Sequence, residues 1–265
     1  MSNSITHKPA ETGRFQLKEE RYNFILEALR TGGKVVASEL SGLLGVSEDT
    51  VRRDLRDLAR EHLLMRVHGG ALPRSPSSPS FVVRRQQSMD AKRRIARVAA
   101  GLLQNGQLIL VDGGTTTQQI AQYLPRDLEA TIVTNNLPLA MALAAHPCLE
   151  VIQLGGKVLK ESQVTIGSMA LDELRSFRAD LCLLGAGSVH PEYGIRTPEM
   201  DEIFIKRSMI EASAEVAALV SSEKLGTALP YLVAPVRALT HLVSDASQEI
   251  LAPYREMGIS TITAS

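Results

Sequence analysis

Arginine is concentrated on one side of a predicted helix in the first part of the chain. Ser47 stands at the N-cap position, and apolar residues then recur at helical spacing, namely Val51, Leu55, Leu58 and Ala59. At about 100° per residue, the outer side of this helix carries Asp49, Arg52, Arg53, Arg56 and Arg60. Arginine can donate to guanine O6 and N7 or to phosphates, and Ser47 or Thr50 can reach a phosphate or a thymine methyl group. This side of the helix therefore has the chemistry of a DNA-contacting surface.

A solvated charged face is the alternative interpretation of the same residues. The arginines could form i,i+4 ion pairs with Asp49, Asp54 and Asp57, as charged runs on helices often do. Asp49 could accept a hydrogen bond from cytosine N4, or its negative charge could stabilise the N-terminus of the helix. Asp54 is better explained as an orienting partner for Arg53, or for a neighbouring helix, than as a residue that reads bases.

Two further helices and a hairpin are predicted around this helix. The first helix has apolar residues at Tyr22, Ile25, Leu26 and Leu29 and ends at Gly32-Gly33. The second has Val36, Leu40, Leu43 and Leu44 and ends at Gly45. Residues 63–67 and 68–72 read as two short strands around a turn, with His68 at the tip as a further phosphate or minor-groove contact. This arrangement is a helix-turn-helix followed by a wing.

A change in composition separates this module from the rest of the chain. Residues 73–80 contain three prolines and four serines, which cannot continue a helix or a central strand. We therefore predict a winged helix-turn-helix domain at residues 14–72, a linker at 73–80 and an α/β domain at 81–265. Just beyond the linker, residues 84–97 carry a local excess of positive charge that could lie near DNA or be solvated.

Short apolar runs alternate with helical patterns throughout the C-terminal part. The runs are residues 108–111, 130–133, 151–154, 181–184, 216–220 and 241–243. Helices are predicted at residues 92–103, 116–124, 137–145 and 202–213. Strands that are apolar on both faces and alternate with helices indicate a Rossmann-like parallel sheet covered on both sides.

The turn after the first of these strands has the composition of a phosphate-binding loop. It reads Asp112, Gly113, Gly114, Thr115, Thr116 and Thr117. The glycines let the backbone approach a ligand, the helix start offers free N–H groups, and the hydroxyls add donors. A tight turn with a threonine N-cap explains the same residues, so both interpretations remain open. The loop lacks the Gly-Lys-Ser/Thr ending of a Walker A motif.

Polar residues also follow other predicted strands. These are Thr134, Asn135, Asn136, Gly155, Gly156 and Gly185. Since ligands bind at the carboxyl ends of parallel strands, a polar pocket is expected there, and Lys206 or Lys224 could neutralise a phosphate. His190 stands where a dinucleotide fingerprint needs its third glycine, so that motif is not supported.

Composition narrows the class of protein further. The chain has 265 residues, 44% of them hydrophobic, and 29 basic residues balance 29 acidic ones, so bulk charge gives no sign of nucleic-acid or membrane binding. Cys148 and Cys182 lack metal-ligand spacing and are predicted to be buried, reduced thiols. We expect no metal, no cofactor and no membrane segment, and we expect a cytoplasmic protein.

The motifs of both halves resemble the DeoR-type transcriptional regulators. The N-terminal resemblance lies in Val46-Ser47-x-x-Thr50-Val51, Arg52-Arg53-Asp54-Leu55 and His68-Gly69-Gly70-Ala71. It implies that Arg52, Arg53 and the wing, including His68 and Gly69, contact an operator, and that Asp54 is structural. Residues 92–245 resemble the DeoR sensor domain, which is similar to the ribose-5-phosphate isomerase and glucosamine-6-phosphate deaminase fold.

The resemblance also implies a sugar-phosphate effector site in the C-terminal part. The matching positions are residues 112–117, 134–136 and 155–156, Gly167, Lys206, Arg207, and residues 224–226. Ser221 departs from the pattern, because the family usually has Asp there.

Two functional hypotheses follow. The first is a DNA-binding regulator that is controlled by a phosphorylated sugar or polyol. It would be a repressor of carbohydrate metabolism genes, since repression is the commoner behaviour in the family. It would work as a homo-oligomer, a dimer or tetramer, because one winged helix makes few contacts. The alternative is a sugar-phosphate isomerase or deaminase with an appended DNA-binding domain. Its general base would come from Asp112, Asp201, Glu202 or Glu223, but no spacing singles out a pair.

Overall fold

The chain divides into two compact units, with the boundary between Arg74 and Ser75. This computed structural model describes residues 17–77 and 80–265. Residues 14–16 of the predicted winged helix-turn-helix domain, and Ser78 and Pro79 of the predicted linker, lie outside the described residues. The bounds 14–72, 73–80 and 81–265 therefore stay a prediction.

The N-terminal unit, up to Arg74, combines three helices with a small antiparallel sheet. Its elements are α1 (Lys18–Gly32), β1 (Val35–Val36), α2 (Ala37–Leu44), α3 (Glu48–Arg60), β2 (Leu64–Val67) and β3 (Gly70–Pro73). Gly33 and Gly45 adopt the left-handed conformation that ends α1 and α2. Ile25, Val51 and Leu58 are fully buried between the helices. The three predicted helices and the hairpin are thus confirmed.

Two details of the N-terminal unit differ from the sequence prediction. Leu43 is half exposed rather than in the core, because Leu40 and Leu44 already fill the buried face of α2. Val36, predicted in the second helix, lies instead in strand β1, which was not predicted because two residues are too short for a recognisable alternation. This strand pairs with β3 in the sheet order β1-β3-β2. Gly70 permits this close pairing, because a Cβ there would lie 1.9 Å from the carbonyl oxygen of Val35.

The C-terminal unit, from Ser75 onward, is built on a seven-stranded parallel sheet. Its strands are β4 (Leu108–Val111), β5 (Ala130–Thr134), β6 (Leu149–Gln153), β9 (Ala179–Gly185), β12 (Ser213–Leu219), β14 (His241–Ser244) and β15 (Ser260–Thr263). They lie in the order β15-β14-β12-β9-β4-β5-β6. Buried apolar clusters cover both faces, as near-continuous apolar strands require. The predicted α/β parallel-sheet class is confirmed.

Helices and two smaller sheets complete this unit. The helices are α4 (Phe81–Gln86), α5 (Met89–Ala100), α6 (Leu137–Leu143), α7 (Ser168–Leu174), α8 (Glu202–Glu211) and α9 (Gln248–Glu256). The smaller antiparallel sheets consist of β7 (Lys157–Leu159) with β8 (Val164–Ile166), and of β10 (Ser188–His190), β11 (Gly194–Thr197) and β13 (Tyr231–Ala234). These sheets and β15 were not predicted.

Two predictions for this unit are corrected by the structure. The helix expected at residues 116–124 is a short 3-10 helix, Thr117–Gln122, next to the glycine-rich turn. Cys148 is exposed rather than buried, because it lies in the surface connection before β6, whereas Cys182 is buried within β9. Among the described residues, no helix is both long and apolar enough to cross a membrane.

Candidate functional site

Helix α3 presents its four arginines to solvent. Ser47 caps the helix, since its Oγ accepts from the Thr50 N–H at 3.2 Å, and the two hydroxyl oxygens lie 2.9 Å apart. Val51, Leu55 and Leu58 are buried on the inner side. The exposed residues are Asp49, Arg52, Arg53, Arg56 and Arg60. The helical face inferred from the spacing is therefore the one that the folded unit exposes.

The arginines of α3 differ in how they are held. Arg52 pairs with Glu48 at 2.8 Å, and Arg60 lies 3.6 Å from Asp57. Within residues 17–77 and 80–265, Arg53 and Arg56 enter no ion pair at all. Of the acids that the solvated-face alternative named, only Asp57 pairs with an arginine of α3, whereas the partner of Arg52 is Glu48. Arg53 and Arg56 are exposed without such a pair, so a DNA contact by these two arginines stays a prediction.

Asp54 is tied to a neighbouring helix. Its carboxylate accepts from Arg21 Nε at 2.6 Å and from Arg21 Nη2 at 3.1 Å, and both groups are buried. Arg53 is not its partner, which resolves the two options left open by the sequence. This bidentate pair joins α1 to α3 and orients the outer face of α3.

The hairpin between β2 and β3 places the remaining predicted DNA contacts at its tip. His68 and Gly69 form the two-residue turn, and both are exposed. Gly69 has φ of +77°, a conformation that favours glycine. Its carbonyl accepts from the Ala37 N–H at 2.8 Å, which fixes the turn against the start of α2.

The C-terminal unit contains a polar cavity at the carboxyl ends of its central strands. Seven of the predicted effector-site residues line it: Gly113, Gly114, Thr115, Thr116, Gly185, Lys206 and Lys224. Gly114 has φ of +147°, so the turn after β4 suits glycine at this position. The cavity lies where ligands bind in parallel sheets.

A buried ion pair forms the floor of this cavity. Lys206 Nζ donates to Asp112 Oδ2 and, at 2.9 Å, to the Gly185 carbonyl, while Glu202 lies 3.5 Å away. Asp112 Oδ2 also accepts from the Gly185 N–H at 2.9 Å. Burial opposes the charged amine, but the carboxylates of Asp112 and Glu202 outweigh it and raise the pKa of Lys206. Lys206 is thus already neutralised by protein groups.

Other predicted residues support the loop instead of lining the cavity. Thr117 Oγ1 donates to the Gly114 carbonyl at 3.0 Å, and Asn136 Nδ2 donates to the same carbonyl at 3.2 Å. Asn136 Oδ1 also caps α6. Thr134 donates to the Val111 carbonyl, and Asn135 donates to the Thr165 carbonyl at 3.2 Å. Thr117, Thr134 and Asn136 thus hold β4 and the turn after it in place, whereas Asn135 links the end of β5 to β8.

Gly155 and Gly156 are not brought to the cavity lining. The Gly155 N–H donates to Glu173 Oε2 at 2.8 Å. Gly156 has φ of +121°, and a Cβ there would lie 2.5 Å from the Ile166 carbonyl oxygen. Both glycines shape the entry to the β7–β8 hairpin, and their role at an effector site stays a prediction.

The lining also includes polar residues that sequence reasoning did not assign to the effector site. They are Ser77, Arg84, Ser162, Thr197 and Glu202. Thr197 Oγ1 donates to Glu202 Oε2 at 3.1 Å, and Arg84 Nη2 donates to Ser162 Oγ at 3.4 Å. The only sequence signal was the positive charge after the linker, which includes Arg84.

Several known proteins and solved structures are similar to this chain. Ribose 5-phosphate isomerase A from Neisseria gonorrhoeae matches 51% of this chain and 52% of its own, with 14% identity and a TM-score of 0.37. The repressor GlcR from Bacillus subtilis is 32% identical over 230 residues, covering 86% of this chain and 88% of that protein. The glycerol-3-phosphate regulon repressor of Escherichia coli is 34% identical over 208 residues, covering 78% of this chain and 82% of that protein.

Two family models match, one for each unit. Residues 21–76 match a DeoR-like helix-turn-helix domain, which contains α3 and the hairpin. Residues 87–246 match the DeoR C terminal sensor domain, which contains the glycine-rich turn, Lys206 and Lys224. The chain is a DNA-binding transcriptional regulator and belongs to the DeoR family.

Proposed function

We propose that this protein represses carbohydrate metabolism genes by binding operator DNA and that a phosphorylated sugar or polyol in the C-terminal cavity controls it. The observation that carries the proposal is the cavity itself, which joins a glycine- and threonine-rich turn to buried cations. Glycines and hydroxyls suit phosphate and sugar oxygens, and buried cations suit an anionic ligand. One similar protein is named a glycerol-3-phosphate regulon repressor, and another is named a putative aga operon transcriptional repressor.

The DNA-binding part of the proposal rests on α3 and the hairpin tip. Arg53 and Arg56 are exposed and available for base edges or phosphates, while Arg52, Arg60 and His68 provide further positive or hydrogen-bonding groups. A unit of this size contacts one half-site, so a dimer or tetramer on repeated half-sites is the expected working form.

The segment that follows the N-terminal unit offers a route for the effector signal. Ser75 Oγ donates to the Gly187 carbonyl at 2.6 Å, and the Ser75 N–H donates to the Ala228 carbonyl at 3.2 Å. Ser77 lines the cavity together with Gly187. A ligand that moves the loop at Gly185–Gly187 therefore changes the anchorage of the segment leading to the DNA-binding helices.

We further propose that the cavity binds its ligand without catalysing a reaction. The carboxylates that could serve as a general base already accept hydrogen bonds: Asp112 from Lys206 and Gly185, Glu202 from Thr197, and Glu223 from Ser88 and Ser221. Asp201 is exposed at the start of α8 and does not line the cavity. Ligand recognition needs such a fixed polar wall, whereas proton abstraction needs a carboxylate that can approach the substrate.

Thermal unfolding with a panel of sugars and polyols, each with and without a phosphate group, tests this function. A true effector at 100 times its Kd adds about 2.7 kcal/mol to the free energy of unfolding. We expect at least one phosphorylated compound to stabilise the protein and its unphosphorylated counterpart to have no effect. Equal effects from both forms would contradict a phosphate-dependent effector, and product formation from any compound would contradict a pure sensor.

A further inference from the structure

A second cavity adjoins the first and is lined by three cations. Arg84, Lys92 and Lys224 face it, together with Glu223. Arg84 and Lys224 line both cavities, so the two are neighbouring parts of one polar region. From the sequence, Lys224 was predicted at the effector site, whereas Arg84 and Lys92 were part of a positively charged segment that could lie near DNA or be solvated.

Both lysines are buried to an unusual degree. Lys92 is 2% exposed and Lys224 is 9% exposed, although lysine is almost never buried without a partner. Lys92 Nζ donates to the Arg84 carbonyl, and no carboxylate lies within ion-pair distance of either amine in the part of the chain that the structure describes. Two buried ammonium groups thus lack the neutralisation that Lys206 receives.

The nearby carboxylates are too few to offset this charge. Asp112 and Glu202 are engaged with Lys206, which leaves Glu223 as the carboxylate beside the two lysines. Glu223 accepts from Ser88 at 2.9 Å and from Ser221 at 2.7 Å, so its position is fixed by hydroxyl groups. The lining of the second cavity therefore has three cationic side chains and one carboxylate, that of Glu223. Glu202 and Glu199 act on Arg84 but do not line this cavity.

Burial, together with this surplus of positive charge, lowers the pKa of both lysines. Burial, with a further contribution from Arg84, lowers the pKa of Lys92 to about 8. Burial, followed by the charges of Lys92, Arg84 and Lys206, lowers the pKa of Lys224 to about 8 as well. Glu223 opposes both shifts. An anion bound between the amines would favour their charged forms and raise the pKa of both lysines toward the ordinary value.

We propose that Lys92, Lys224 and Arg84 form the subsite for the phosphate group of the effector, and that Lys206 does not bind it. This inference rests on the proposed function. A phosphate monoester is mostly a dianion at neutral pH and can offset two buried cations at once. Its carbon chain then extends toward Ser162, Thr197 and Glu202, whose oxygens can bind hydroxyl groups.

Inorganic phosphate is the probe that tests the subsite, with binding measured by calorimetry at pH 7. Lys92→Met and Lys224→Met are expected to weaken phosphate binding at least tenfold. Arg85→Met is the matched control, because Arg85 is an exposed cation next to Arg84 on α4 and lines neither cavity. The affinity of Arg85→Met for inorganic phosphate should stay within twofold of that of the wild type. Phosphate binding by Lys92→Met as tight as that of the wild type would overturn the proposal.

Proton uptake by the wild-type protein gives a readout that does not depend on how well a variant folds. The dianion raises the pKa of both lysines, so binding at pH 8 must take up protons from the buffer. Calorimetry in two buffers of different ionisation enthalpy measures this uptake, and Lys92→Met should reduce it. Phosphate binding to the wild type without proton uptake at pH 8 would overturn the subsite.

The subsite and the proposed function can fail separately. If a phosphorylated compound releases operator DNA equally well from the wild type and from Lys92→Met, the subsite is wrong and the proposed function stands. If phosphate binding depends on Lys92 but no phosphorylated sugar or polyol changes operator binding, the subsite stands and the proposed function is wrong.

Discussion

Arg21 on α1 holds Asp54 on α3 through two hydrogen bonds, of 2.6 and 3.1 Å, within the core of the N-terminal unit. The neighbours of Asp54 in the sequence, Arg52, Arg53 and Arg56, point to solvent. One buried acid in an arginine-rich helix therefore fixes which side of that helix faces outward. The ion pair connects the fold of the unit to the surface that we propose contacts DNA.

Asp54→Asn should destabilise the N-terminal unit strongly. It leaves the buried guanidinium of Arg21 without its charge partner, which typically costs about 3–5 kcal/mol. Asp49→Asn on the exposed side of the same helix is the control and should change the free energy of unfolding by less than about 0.5 kcal/mol. Chemical denaturation of both variants measures the difference, and equal stability of the two would contradict a structural role for Asp54.

Arg53→Ala and Arg56→Ala should weaken operator binding while thermal stability stays nearly unchanged. Loss of a base contact costs about 1–3 kcal/mol and relaxes specificity, whereas loss of a phosphate contact lowers the salt dependence of binding by about one unit. Fluorescence anisotropy at several salt concentrations distinguishes the two. Arg30→Ala, which removes an exposed arginine of α1 paired with Glu27, is the control. Normal operator affinity in both α3 variants would show that another surface binds DNA.

Substitution of the glycine-rich turn should abolish the effector response and leave operator binding intact. Gly114→Val forces a β-branched residue into φ of +147° and brings its Cβ to 3.3 Å from Thr117 Oγ1. Thr115→Ala removes a hydroxyl group from the cavity lining. Thr131→Ala, on the sheet beyond the cavity, serves as the control. An effector response that survives both turn variants would place the site elsewhere.

Ser75→Ala tests whether the segment after the N-terminal unit transmits the signal. The variant loses the 2.6 Å hydrogen bond to the Gly187 carbonyl but keeps the cationic wall of the cavity. We expect ligand affinity within about threefold of the wild type and a clearly smaller change in operator affinity upon ligand binding. Ser247→Ala, an exposed serine before α9, is the control. Unaltered coupling in Ser75→Ala would exclude this route.

Elements with strong periodicity were predictable, and so was the outer face of α3. The buried strands from Leu108 onward and the cap at Ser47 follow from local sequence alone. Strand β1 was not predictable, because Val35 and Val36 become a strand only by pairing with β3.

The cavity that we propose for the effector was predictable only in part. The turn at Asp112–Thr117 has a recognisable composition, but Arg84, Ser162 and Thr197 come from separate segments that the fold brings together. Their pattern in the sequence is no different from that of surface residues. The role of Lys206 was also hidden, since its partner Asp112 lies 94 positions away in the chain.

Control of operator binding by an effector can be measured as operator affinity with and without a ligand. The protein would be titrated onto an operator selected from random-sequence DNA, in the absence and presence of the phosphorylated compound that most stabilises it. Control by an effector predicts at least a tenfold loss of operator affinity, equivalent to about 1.4 kcal/mol of coupling. An operator affinity that no phosphorylated sugar or polyol changes would contradict the account.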